Sequence, residues 1–306
     1  MKICITAANC FIGLPLVRKA SDCGWNVVAV VRKGNTQKEM IDTISNTSVI
    51  ELNLEEYSRL GEKVGPVDCL VMLTWNGTRG QARSDEYLQV KNYECCYAAV
   101  ESAIKYGCKK IVTAGSQAEY GIVDGIITEE TICNPNTEYG KYKLKLYHSV
   151  SELCAKNNVT HIEPRFFSLY GPGDFENTLI MANIRKMLKN EACDMTECSQ
   201  LWDYLYIDDA VDALEKLCAR GNSGIYNFGS GDVRPLYEYM EEMKLVIHSE
   251  SELNFGAVPY GSAGPVSIHP SVKKLQNEIN WKAQYSFKDG IETILGVSQS
   301  LCKPSN

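Results

Sequence analysis

A chain of 306 residues with 44% hydrophobic and 23% charged residues has the composition of a globular protein with one large domain or two closely joined ones. Its formal net charge of −7 argues against nucleic-acid binding, which needs a clustered excess of Lys and Arg. Thirteen scattered cysteines include no Cys-x-x-Cys pair and no zinc-like spacing, so we predict reduced thiols, a cytoplasmic location and no metal site. The N-terminus turns polar too soon for a signal peptide and no apolar run is long enough to span a bilayer, so no membrane association is expected.

Short apolar strands alternate with helical stretches through the first half of the chain. The predicted elements are a strand at 2–6, a helix at 14–23, strands at 25–31, 49–52 and 68–73, a helix at 85–106, a strand at 110–114, a helix at 139–156 and a strand beginning at 160. This alternation predicts an α/β fold with a doubly wound parallel sheet. The sheet domain is expected in residues 1–168, with segments near 203–230 returning to it. Residues 169–306 are expected to form mainly a smaller substrate-binding lobe.

Tyr139 and Lys143 are four residues apart in a predicted helix, so their side chains lie on one face, one turn apart. An ammonium group beside a phenol favours the phenolate, and Lys143 is therefore expected to lower the pKa of Tyr139 towards neutrality. Such a tyrosine exchanges a proton with a carbonyl or alcohol oxygen, and the Ser116 hydroxyl would complete a redox site. Tyr106 and Lys110 have the same spacing but follow the pattern of a helix end. Spacing alone is therefore also consistent with Tyr139 and Lys143 lying on a solvent-exposed helix face.

The turn after the first strand, residues 6–13, is poor in glycine. A dinucleotide-binding turn has three glycines, for the tight turn, for the approach of the pyrophosphate and for helix packing, and only Gly13 is present. The side chain of Cys10 would crowd the phosphate. By itself this turn fits a generic strand–turn–helix at least as well.

Several segments nevertheless follow one another in an order shared with a known enzyme family. They are 6–13, Asn92, 115–121, the group Pro135, Tyr139 and Lys143, 165–172, 203–209 and 226–231. Over about residues 2–295 the chain resembles the extended short-chain dehydrogenase/reductases, the nucleotide-sugar epimerase/dehydratase family. The first turn departs from the family pattern at Ala7 and Cys10.

The resemblance implies a Rossmann domain that binds a nicotinamide cofactor, and a nucleotide-sugar substrate. Ser116 would hydrogen-bond a sugar oxygen, Tyr139 would be the acid or base, and Lys143 would also hold the nicotinamide ribose. The further cofactor-binding residues expected are Thr6, Ala8, Asn9, Cys10, Phe11, Ile12, Gly13, Asn53, Leu54, Leu73, Thr74, Asn92 and Arg165. The substrate-binding residues expected are Trp75, Arg83, Gln117, Glu119, Ser168 and Trp202. The family often dimerises through the helices that carry Asn92 and Tyr139, so a homodimer is expected.

The end of the second strand bears on the choice between NAD and NADP. An acidic residue there would accept a hydrogen bond from the ribose 2′-hydroxyl, whereas a basic one accommodates a 2′-phosphate. The chain has Arg32 and Lys33 at this point and no acid. NADP(H) is therefore favoured, NAD remains possible, and a solvated charged turn is the alternative.

The residues after Ser116 bear on the reaction. The 4,6-dehydratases place Asp-Glu at this point and the GDP-fucose synthases use a Cys, and the chain has neither. A 4-ketoreductase using NADPH and a 4-epimerase that keeps NAD⁺ bound remain. Glu119 stands where epimerases mostly have Val, and 115–121 resembles sugar ketoreductases such as CDP-abequose synthases, which favours the reductase. A third alternative is a non-catalytic NADP-binding scaffold.

Two substrate-side positions depart from the family. Ser168 replaces an Asn and Trp202 an Arg that commonly hold the nucleotide diphosphate. Replacement cations are available at Arg79, Arg83, Arg185 and Lys186, each of which also fits a surface charge. The nucleotide and the sugar are therefore left open.

Overall fold

A parallel sheet of seven strands forms the centre of the molecule in the computed structural model, which describes residues 1–261 and 264–301, and their side chains up to residue 296. The strands are β1 (Lys2–Thr6), β2 (Asn26–Val31), β3 (Thr47–Glu51), β4 (Cys69–Met72), β5 (Lys110–Thr113), β6 (Gly115–Ser116), β7 (Thr160–Phe166), β8 (Ser168–Tyr170), β9 (Cys193–Met195), β10 (Leu201–Trp202), β11 (Tyr204–Tyr206), β12 (Gly224–Phe228), β13 (Arg234–Pro235) and β14 (Leu253–Phe255). The central order is β3-β2-β1-β4-β5-β7-β12, and the short β6 pairs with β7.

Ten α-helices and three 3₁₀ helices lie among the described residues. The α-helices are α1 (Gly13–Asp22), α2 (Lys38–Asp42), α3 (Leu60–Val64), α4 (Glu86–Lys105), α5 (Glu138–Lys156), α6 (Leu179–Met187), α7 (Ile207–Arg220), α8 (Leu236–Ile247), α9 (Lys273–Ile279) and α10 (Phe287–Leu301). The 3₁₀ helices are Leu54–Arg59, Gly80–Ser84 and Gln117–Glu119.

Alternate residues of β1 face opposite sides of the sheet, as strand geometry requires. Ile3 and Ile5 pack with α1 and α7 in one core layer, and Cys4 packs with α4 and α5 in the other. Both faces are therefore covered by helices, which is why the strands are apolar throughout. The predicted doubly wound parallel sheet is confirmed.

The strand order reverses beside β1, which lies between β2 and β4. Open parallel sheets bind ligands at such a switch point, outside the carboxyl ends of the strands. The turn after β1 and the loops after β4 and β5 therefore meet at one edge of the sheet.

The second half of the chain contributes to both parts of the molecule. The α7 helix packs on α1, and β12 extends the sheet beyond β7. The remaining elements form two-stranded pairs, β8 with β11, β9 with β14 and β10 with β13, together with α6, α8 and α10. The division into domains at residue 168 stays a prediction.

The predicted elements agree with the observed ones to within a few residues, but α2 and α3 were not predicted because each is only five residues long. The cysteines in the described part of the chain are free thiols. Over the same residues, no group of three or more His, Cys, Asp and Glu side chains is placed to hold a metal ion. None of the described helices combines the length and the apolar character that a membrane crossing requires.

Candidate active site

Two neighbouring cavities lie along the carboxyl edge of the sheet and share two lining residues; together they are called the groove. The first, of about 370 Å³, lies between the β1 turn and the loops after β2 and β3. The second, of about 480 Å³, lies between the loop after β4, β6, α5 and residues of 166–180 and 202–204. Leu73 and Trp75 line both. The expected site residues that line the groove are Asn9, Cys10, Phe11, Ile12, Arg32, Leu54, Leu73, Thr74, Trp75, Arg83, Ser116, Gln117, Tyr139, Lys143, Ser168 and Trp202.

The remaining expected residues do not line these cavities. They are Thr6, Ala8, Gly13, Lys33, Asn53, Asn92, Glu119 and Arg165. Two of them hold the loop after β4. The hydroxyl of Thr6 accepts hydrogen bonds from the Leu73 and Thr74 amides at 3.0 and 3.2 Å. The side chain of Asn92 accepts from the Asn76 amide at 3.0 Å and donates to its carbonyl at 2.8 Å. These side chains thus shape the groove from beneath.

The turn between β1 and α1 retains its shape without the usual glycines. At Gly13 a Cβ would lie 2.4 Å from the carbonyl oxygen of Ala7, so only glycine fits there. Ala7 has φ +49°, a left-handed conformation in which glycine is unstrained. The Gly13 amide, at the start of α1, donates to the Cys10 sulfur at 3.2 Å. The thiol thus contacts an amide at the helix end that would face a pyrophosphate.

Replacement of Ala7 by glycine should stabilise the protein. A left-handed alanine costs roughly 1–2 kcal/mol, and the added chain entropy of glycine offsets about 0.5–1 kcal/mol of that, so a gain of about 0.5–1 kcal/mol is expected. Urea denaturation of Ala7→Gly measures the gain. The control is Ala155→Gly, at an exposed position in α5. This substitution should lower the free energy of unfolding by roughly the same amount. A loss at both positions would contradict the strain at Ala7.

Arg32 and Lys33 differ in how far their charges are already paired. Lys33 forms an ion pair with Glu56 at 2.6 Å, and its amide donates to the side chain of Asn53. Arg32 lines the first cavity with Leu54 and donates to the Asn76 side chain at 3.3 Å. Among the described residues it forms no ion pair, although its charge interacts at longer range with Glu55. Arg32, more than Lys33, therefore keeps its charge available to an anion in the first cavity.

Ser116, Tyr139 and Lys143 meet in the second cavity, as the sequence predicted. Ser116 is the last residue of β6 and α5 begins at the Thr137 cap, which accepts from the Gly140 amide at 3.1 Å. Gly140 lets α5 approach this edge, because a Cβ there would lie 2.4 Å from the Ala118 carbonyl oxygen. The α5 helix thereby presents two buried side chains, Tyr139 and Lys143, to the cavity.

The prediction that Lys143 lowers the pKa of Tyr139 is wrong for this structure. The ammonium donates to the Ala114 carbonyl at 2.7 Å and lies 4.1 Å from the centre of the Trp75 ring. Burial raises the pKa of Tyr139 above its usual value, and interaction with Ser116 only partly opposes this. Burial also lowers the pKa of Lys143. Tyr139 is therefore a protonated phenol near neutral pH, suited to donate a proton.

Glu119 and Arg165, expected among the ligand-binding residues, are instead fully buried beneath Ser116. Arg165 contacts Glu119 at 2.9 Å and Glu163 at 3.0 Å. Glu119 in turn accepts a hydrogen bond from the Ser116 amide at 2.7 Å. Because their charges are engaged with one another and shielded from the groove, we correct their assignment to supports of the Ser116 backbone.

The substrate side of the cavity contains Ser168 and Trp202, as expected, but no cation among its described residues. Arg83 approaches from the opposite wall, where its guanidinium lies 4.8 Å from the centre of the Tyr139 ring. Arg79 pairs with the buried Asp174 at 3.2 Å. Arg185 pairs with Glu176 away from this cavity. Of the replacement cations considered for the diphosphate, Arg79 and Arg83 alone line it.

The sequence did not indicate several residues that line the second cavity. They are Thr78, Phe166, Phe167, Asp174, Leu179, Ile180 and Tyr204. Asp174 had a usable signal, because it follows a Gly-Pro-Gly turn at the end of a recognised segment. The apolar residues had none, since an apolar cavity wall and an apolar core have the same sequence pattern.

Comparisons with known proteins agree with this geometry. Residues 3–229 match the NAD dependent epimerase/dehydratase family. The chain is 24% identical to the CDP-abequose synthase of Salmonella muenchen, over 97% of this chain and 98% of that protein. It is 26% identical to the dTDP-6-deoxy-L-talose 4-dehydrogenase (NAD(+)) of Aggregatibacter actinomycetemcomitans, over 79% of this chain and 89% of that protein.

Solved structures show the same fold. The UDP-glucose 4-epimerase of Thermotoga maritima superposes with a TM-score of 0.88 at 19% identity, over 99% of this chain and all of that one. At this identity the likeness concerns the fold alone. The family match spans the sheet, the β1 turn and the Ser116, Tyr139 and Lys143 cluster. The chain therefore belongs to the NAD dependent epimerase/dehydratase family of enzymes, as its sequence predicted.

Proposed function

We propose that the protein catalyses the NADPH-dependent reduction of a nucleotide-linked 4-keto-6-deoxy sugar. One observation carries the proposal: two neighbouring cavities share Leu73 and Trp75, and Arg32 lines one while Ser116, Tyr139 and Lys143 line the other. We expect a dinucleotide to lie across both cavities, because the amides at the start of α1 and the cation Arg32 suit its phosphates. A 4-dehydrogenase of a dTDP-linked 6-deoxy sugar among the similar proteins supports the class of substrate.

The side chains divide the work of the reduction between them. When bound, NADPH supplies a hydride to the carbonyl carbon. The Ser116 hydroxyl donates a hydrogen bond to the carbonyl oxygen, and Tyr139 transfers its phenolic proton to that oxygen. The ketone thereby gains a hydride and a proton and becomes an alcohol, and the tyrosinate regains its proton from solvent. We assign Lys143, whose ammonium lies 5.9 Å from the centre of the Tyr139 ring, to holding the nicotinamide ribose rather than to lowering the pKa of Tyr139.

The raised pKa leaves Tyr139 in the protonated form that a reduction requires. A buried phenol holds its proton across the physiological range, so it acts as an acid without prior protonation. An epimerase needs the same residue first as a base and then as an acid. The protonated resting state is consistent with a reductase, which needs only the acid.

The proposal is tested by following the nicotinamide absorbance with a panel of nucleoside diphosphate 4-keto-6-deoxyhexoses. NADPH should be consumed in a one-to-one ratio with one member of the panel. Interconversion of a nucleotide hexose at C4 with no net consumption of NADPH would replace the reductase with a 4-epimerase. NADPH binding with no turnover of any sugar would indicate a non-catalytic scaffold.

Arg32 is proposed to select NADP(H) over NAD(H). Arg32→Asp should weaken NADPH binding by about tenfold or more, because a charge-assisted contact to the 2′-phosphate is replaced by repulsion. NADH binding should weaken less or improve. Lys33→Asp is the matched comparison, and a smaller effect is expected because Lys33 is paired with Glu56. Fluorescence titration of both cofactors measures these changes. An equal loss of affinity for NADPH and NADH in Arg32→Asp would contradict the assignment of Arg32 to the 2′-phosphate.

A cytoplasmic homodimer joined through α4 and α5 completes the proposal. Tyr93 and Tyr97 stack with ring centres 6.2 Å apart on α4, and Tyr93 lies 6.3 Å from Tyr142 of α5. These rings supply half-buried apolar area on neighbouring helices. Sedimentation velocity of the wild-type protein and of Tyr97→Glu tests the dimer, which the added charge should weaken.

A further inference from the structure

Arg83 is a cation without a counter-charge at the reaction cavity. Three cations line this cavity among the described residues. Arg79 is paired with Asp174, and the Lys143 ammonium donates to a backbone carbonyl and lies over the Trp75 ring. The Arg83 guanidinium has no ion pair and no hydrogen bond with any residue that the structure describes. It is half-buried and rests on the face of the Tyr139 ring.

The backbone that carries Arg83 is fixed. Arg83 lies in the 3₁₀ helix Gly80–Ser84, between β4 and α4. The fully buried side chain of Gln89 donates to the Ala82 carbonyl at 2.8 Å and to the Gly77 carbonyl at 3.3 Å. The Gln89 amide oxygen accepts from the Trp75 indole at 2.7 Å. The backbone of Arg83 is thus held at the cavity before any ligand arrives, which lowers part of the entropic cost of binding.

The opposite wall offers no cation for an anionic substrate. That wall consists of described residues from 166–180 and 202–204, and Asp174 is its one charged side chain. Ser168 and Trp202 stand where the resemblance expects the Asn and Arg that hold a diphosphate. The cation that reaches this wall among the described residues is Arg79, and its charge is already paired with Asp174.

We propose that Arg83 binds the diphosphate of the nucleotide sugar from the sheet-domain side of the cavity, while its guanidinium stays stacked on Tyr139. The inference rests on the proposed function only for the class of substrate. A 4-keto-6-deoxy sugar has no charge of its own, so the diphosphate is the anion that such a substrate brings to Arg83. The guanidinium fork binds phosphate oxygens in pairs.

This arrangement links substrate binding to the proton donor. The guanidinium carbon of Arg83 lies 4.8 Å from the centre of the Tyr139 ring, so a phosphate bound by Arg83 lies close to the proton donor. The positive charge of Arg83 opposes the rise that burial causes in the pKa of Tyr139. Once a phosphate neutralises Arg83, that opposition weakens and Tyr139 holds its proton more firmly.

Binding measurements without turnover test the proposal on the 306-residue chain. Calorimetry with CDP, UDP, dTDP and GDP, and with the matching monophosphates, identifies the base that binds. For that base, Arg83→Met should weaken binding of the diphosphate by about tenfold or more and leave the monophosphate within about twofold. Arg83→Lys should retain part of the diphosphate affinity. Arg185→Met, which removes an arginine paired outside the cavity, should change neither.

Two outcomes would overturn the proposal. One is unchanged diphosphate binding in Arg83→Met, and the other is an equal loss for the mono- and diphosphates, which would place Arg83 elsewhere on the nucleotide or in the fold. Thermal denaturation of Arg83→Met separates a folding defect from a binding one. Reduction of a keto sugar with unchanged diphosphate binding would leave the proposed function intact and remove this inference. Arg83-dependent binding of the diphosphate without turnover of any keto sugar would leave this inference intact and remove the proposed function.

Discussion

Tyr139→Phe should lower the turnover of the keto sugar by about 10²- to 10⁴-fold, the usual contribution of a positioned proton donor. The variant removes only the hydroxyl. It keeps the aromatic ring, whose centre lies 6.3 Å from the centre of the Trp75 ring. Binding of NADPH should therefore stay close to that of the wild type. Turnover is measured from the nicotinamide absorbance, and binding from cofactor fluorescence.

The matched control is Tyr106→Phe. Tyr106 and Lys110 have the same spacing as Tyr139 and Lys143, but Tyr106 ends α4 and lies far from the groove. Its variant should retain full turnover. Similar rates for Tyr139→Phe and the wild type would mean that another group donates the proton, and the site would need a new interpretation.

Arg165→Met should lower the free energy of unfolding by about 3–5 kcal/mol, the largest effect on stability that we expect. The substitution leaves the carboxyl groups of Glu119 and Glu163 buried without their shared cation. The control is Arg185→Met, whose exposed ion pair with Glu176 is expected to contribute about 0–1 kcal/mol. Equal losses in the two variants, measured by urea denaturation, would contradict a buried ionic network.

The loss in Arg165→Met should depend on pH in a defined direction. Burial, and secondly the carboxylate of Glu119, already raise the pKa of Glu163, while Arg165 lowers it. Removing Arg165 raises that pKa further. A group whose pKa is raised in the folded state contributes stability below its unfolded pKa and loses it as the pH rises through the folded value. The destabilisation should therefore be smaller at about pH 5 than at about pH 8.

Sequence patterns predicted the sheet because short stretches of sequence specify its strands and the ends of its helices. Each buried strand is a short apolar run, and each helix between strands has a recognisable end, such as the Tyr106 C-cap before β5. Ser116 and Tyr139 also followed from the pattern, since strand ends and helix starts in a parallel sheet meet at one edge. The family resemblance then separated Tyr139 from Tyr106.

The supports beneath the site could not be predicted, because their partners are distant in the sequence. Glu119 and Arg165 are 46 positions apart, and no spacing rule pairs them. The pKa of Tyr139 was predicted in the wrong direction because its burial depends on packing by Trp75 and Arg83, not on the nearby Lys143 alone. The left-handed conformation of Ala7 likewise depends on the fold around it.

Transfer of deuterium from the cofactor tests the central claim most directly. The enzyme is incubated with NADPH that is deuterated at the transferable position and with the nucleoside diphosphate 4-keto-6-deoxyhexose that it consumes. We predict one deuterium at C4 of the sugar product and one equivalent of NADP⁺ for each turnover. A product without deuterium at C4, or sugar interconversion without formation of NADP⁺, would contradict the account.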